Sequence, residues 1–81
     1  MATLPADEDY ARAMLSIFAI LNVRAGESLQ ASRVRVEFQS RNMGRPADCE
    51  AALSYAVERG WLHVELGRIR LTAAGFAQMQ I

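Results

Sequence analysis

The sequence predicts a small, mainly α domain with one β-hairpin, an α+β fold of four helices and two strands. Three observations predict it. Apolar residues recur at helical spacing in successive stretches of the first sixty residues. The stretch Trp61–Leu71 alternates apolar and polar side chains around Leu66-Gly67. Capping and breaking residues separate these segments, and 81 residues suffice for a single domain.

Residues 1–6 are expected to form a loose arm ahead of one domain at 7–81. Asp7-Glu8-Asp9 places negative charge where a helix N-terminus favours it. From there to about Asn22, Tyr10, Met14, Ile17, Phe18 and Leu21 share one helical face. Leu15 and Ile20 widen that face, while Arg12, Ser16 and Ala19 lie opposite. Ala25-Gly26-Glu27 breaks the helix, and Ser28 can cap the next one. Residues 33–38 alternate like a half-buried strand, yet Ala31, Val34 and Phe38 also share a helical face. With no turn signal between Leu29 and Met43, the expectation is a helix over that span. It should end with Gly44 in the left-handed position and leave Val36 exposed.

Pro46 suits the first position of a third helix, whose core face is expected to be Cys49, Ala52, Leu53, Ala56 and Val57. Gly60 ends it. Two short strands follow, with Leu62, Val64, Ile69 and Leu71 inward and His63, Glu65, Arg68 and Arg70 outward. Thr72 can cap a last helix over Ala73–Gln80, which carries Phe76 and Met79.

The order helix, helix, helix, hairpin, helix, with a short turn from Met43 to Pro46, resembles a winged helix-turn-helix domain. The segment Cys49–Phe76 is similar to that family in detail. Leu53 followed by Gly60-Trp61-Leu62 matches its third-helix ending, and Leu71-Thr72-Ala73-Ala74-Gly75 matches the closure of its wing. The resemblance covers about residues 9–80. It implies a three-helix core, a two-stranded wing and a C-terminal helix. It also implies a third helix in the DNA major groove and a wing on the backbone or minor groove.

Composition narrows the function. Nine arginines balance nine carboxylates, lysine is absent, and net charge is zero, so no general pull toward polyanions exists. Cys49 is the sole cysteine, which fits a reducing compartment. With no signal-like or membrane-spanning stretch, a soluble cytoplasmic protein is expected. Catalysis is not expected. Cys49 falls on a core face, His63 on an outward strand face, and one Cys with one His cannot complete a zinc site. No phosphate loop or small-molecule substrate site is evident, and neither metal nor cofactor is implied.

Two partner classes remain. Double-stranded DNA would be contacted by Arg41 and Arg45 beside the turn, Ser54 and Tyr55 on the third helix, and Arg68 and Arg70 on the wing. Against this, residues 46–59 carry Asp48, Glu50 and Glu58 with only Arg59, and carboxylates repel phosphate. The alternative is a protein-interaction or dimerisation module. A homodimer would use Leu15, Ile20, Phe76, Met79 and Ile81, unless these residues complete the monomer core.

Overall fold

A computed structural model describes residues 6–79. The acidic run opens α1 (Asp7–Ile20): the Asp9 carboxylate accepts the Ala6 backbone N–H at 3.0 Å, and the Asp9 N–H donates to the Ala6 carbonyl. The same device opens α3 (Pro46–Glu58), where Asp48 accepts the Arg45 N–H at 2.9 Å and Pro46 takes the first turn. Between them lie β1 (Ser28–Gln30) and α2 (Ala31–Ser40); after them come β2 (Leu62–Glu65), β3 (Arg68–Leu71) and α4 (Ala73–Gln78). Nearly all of the expected loose arm, along with Gln80 and Ile81, lies outside the described residues.

The three longer helices end alike. Asn22, Asn42 and Gly60 take positive φ (58°, 55° and 75°). The next residue then turns back, with the N–H groups of Val23, Met43 and Trp61 donating to the carbonyls of Phe18, Phe38 and Ala56. Each closing residue is apolar and packs on the core. The second helix therefore stops at Ser40, short of the expected Met43, because Asn42 supplies the left-handed position assigned to Gly44. Gly44 serves packing instead: a Cβ there would lie 2.9 Å from the Asp48 Cβ and 3.1 Å from the Phe38 ring.

The sheet has three antiparallel strands in the order β1-β3-β2, one more than the predicted hairpin. Gly26 turns the chain at φ 89°, its N–H donates to the Leu71 carbonyl, and residues 28–30 align with β3, setting Leu29 opposite Ile69. Ser28 is thus a strand residue and not a helix cap; Gln30 precedes α2 directly. Residues 33–38 are helical, with Val34 and Phe38 buried and Val36 exposed. The hairpin turns on Leu66-Gly67, both left-handed, and Leu66 is 96% exposed.

The core gathers Met14, Ile17 and Phe18 of α1, Val34 and Phe38 of α2, Ala52 and Ala56 of α3, and Leu62, Ile69 and Leu71 of the sheet. Two inward assignments fail. Val57 is 41% exposed because the core face of α3 narrows to Cys49, Ala52 and Ala56, and Val64 is exposed because only Leu62 of β2 is buried. The chain of close contacts ends at α4. Thr72 accepts the Gly75 N–H at 3.0 Å and donates to the Trp61 carbonyl at 2.9 Å. A Cβ on Gly75 would lie 2.2 Å from that carbonyl oxygen, so glycine is required there by proximity. No helix of the described residues is long and apolar enough to cross a membrane.

Candidate functional site

Two surfaces offer themselves to a partner. The first comprises exposed residues of α2, α3 and the hairpin, with five of the six residues selected for DNA. Arg41 caps the end of α2 and meets Glu37 at 3.1 Å, an acid shared with Arg33. Arg45, whose side chain is 84% exposed, precedes α3 and meets Asp48 at 3.3 Å. Arg70 pairs with Glu65 across the hairpin at 3.5 Å. Arg68 donates to the Ser28 hydroxyl at 2.8 Å and its carbonyl at 3.2 Å, tying β3 to β1. Arg35, from α2, reaches Glu50 of α3 at 3.2 Å. Arg33, Arg35, Arg41, Arg45 and Arg70 thus each face a carboxylate, Arg33 and Arg41 sharing one.

Of the two α3 residues selected, Ser54 is exposed, but Tyr55 is half-buried and turned toward α1. Its hydroxyl donates to Glu8 at 3.1 Å, and its ring meets Trp61 edge-on at 5.7 Å between centroids. Arg59 lies over the Tyr55 ring and Arg12 over the Trp61 ring, each 5.1 Å from the centroid. This stack of cation, phenol, indole and cation seals the seam between α1 and α3. Sequence reading did not find it, although Tyr55 and Arg59 stand one helical turn apart. The outward side of α3 keeps Ala47, Glu50, Ser54, Val57 and Glu58.

Hydrogen bonds fix the charge state of this surface. Arg12 first, then the Tyr55 hydroxyl, holds the Glu8 carboxyl below its ordinary value. The Arg33 guanidinium does the same for Glu37, helped by Arg41, and the Arg45 backbone N–H does so for Asp48. All three are therefore harder to protonate than free carboxyls.

The second surface lies between α1 and α4. Two adjacent depressions of about 260 and 570 Å³ share Ala19 and Met79 in their linings. Leu15, Ser16 and Gln78 line one, Val23 and Phe76 the other, with Arg12 and Arg24 at their ends. Of the residues selected for a dimer, Phe76 and Met79 line this groove and are half-buried, and Ile20 is 52% exposed. Leu15, at 2%, belongs to the core and only floors the groove. Ile81 lies outside the described residues.

The remaining chemistry-bearing residues are dispersed. Cys49 is buried, and burial, with Glu50 nearby, pushes its thiol up and away from the reactive thiolate. His63 is exposed, 3.8 Å from Glu65. Among the described residues, no three metal-ligating side chains come together. No protein-family model, curated protein or solved structure matches this chain, and its chemistry is read from its own residues.

Proposed function

We propose that this chain is a winged-helix domain that serves as a protein-interaction or dimerisation module and does not read nucleic acid. The element order, the short turn between α2 and α3 and the β1-β3-β2 sheet support the winged-helix reading. The observation that carries the functional reading is the outward side of α3. It offers a partner Glu50, Glu58, a hydroxyl and methyl groups. Base edges are recognised chiefly by bidentate Arg, Asn or Gln, and phosphates by cations free to replace counterions. The groove between α1 and α4, by contrast, has apolar area to bury.

Titration with mixed-sequence duplex DNA at about 50 mM salt, followed by amide chemical shifts, tests this reading. The expected result is an unchanged spectrum. Salt-sensitive shifts at α3 and the hairpin would overturn it.

One observation favours a second reading, a regulator-like domain that binds double-stranded DNA weakly. Arg45 stands far into solvent beside α3, and exposed ion pairs contribute so little that phosphate can compete for the guanidinium. In that case Arg41, Arg45, Arg68 and Arg70 hold the backbone beside Ser54 and Tyr55. The same titration would then move those six amides together.

A further inference from the structure

We draw no further inference here: the strongest candidate, the outer edge of β2 with Val64 and Leu66 exposed beside it, is an unpartnered surface patch, and nothing in the structure shows what covers it.

Discussion

The helices α1 and α3 form the most extensive helix–helix contact in the molecule, yet their outward sides differ. The outward side of α3 is carboxylate, hydroxyl and methyl, with Glu50 and Asp48 paired to arginines. The outward side of α1 is small and apolar at its middle, where Ser16 and Ala19 join a groove, with the Arg12–Glu8 pair toward its start. Desolvating the first is costly, because its carboxylates Glu50 and Glu58 would lose water. Desolvating the second costs little and buries apolar area. Equal burial on one side of a helix therefore says nothing about what the other side can bind.

The comparison depends on the seam that fixes both helices. Trp61→Ala should damage it most, costing about 3–5 kcal/mol in chemical denaturation by removing the indole between Tyr55 and Arg12. A loss under about 1 kcal/mol would mean that the seam does not hold α1 and α3 in place. Gly75→Ala forces a methyl against the Trp61 carbonyl and should cost about 1–3 kcal/mol, loosening the α4 wall of the groove. Thr72→Ala removes the cap of that wall and should cost about 1 kcal/mol. On the hairpin the expected sign reverses. Leu66→Asn, at φ 50°, should gain about 1 kcal/mol, because asparagine tolerates the left-handed region and the exposed leucine packs on nothing. A double-mutant cycle on Arg35 and Glu50 should give a coupling of about 0.2–1 kcal/mol, since both side chains are more than half exposed.

Acid should weaken the α1–α3 side of the molecule. The carboxyls of Glu8, Glu37 and Asp48 are held below their ordinary values in the folded chain. Their contribution is present above the ordinary carboxylate range and is lost as pH falls through the lowered values. Thermal unfolding midpoints measured down that range should fall, and a midpoint rising on acidification would contradict the assigned pairs.

Much of the fold was legible in the sequence. The acidic helix starts, the Pro46 entry, the Gly60 stop and the Leu66-Gly67 turn each announce a local preference that the packing keeps. The strand β1 was not legible: three residues are too few for alternation to show, and their pairing is set by β3 forty residues away. The helix ends at Asn22 and Asn42 were readable in principle. Asn-Val and Asn-Met repeat what Gly-Trp does after α3, a left-handed residue followed by an apolar one. For the candidate sites, the acidic character of α3 was plain from residue types alone. The i,i+4 pairs of Glu37 with Arg33 and Arg41 were readable from helical spacing, whereas the partners of Arg35 and Arg68 were not, because Glu50 and Ser28 come within reach only through folding. For Leu15 the sequence left a core role beside a dimer role, and its burial favours the core, since a flank position on an isolated helix becomes core once the rest of the fold closes over it.

The most direct test is an amide spectrum recorded as the protein is concentrated. Resonances from Ala13 to Val23 and from Phe76 to Met79 should move together with concentration, while those of Ala47 to Glu58 stay fixed. A spectrum that never changes, or one in which α3 moves and α1 does not, would contradict the contrast between the two outward faces.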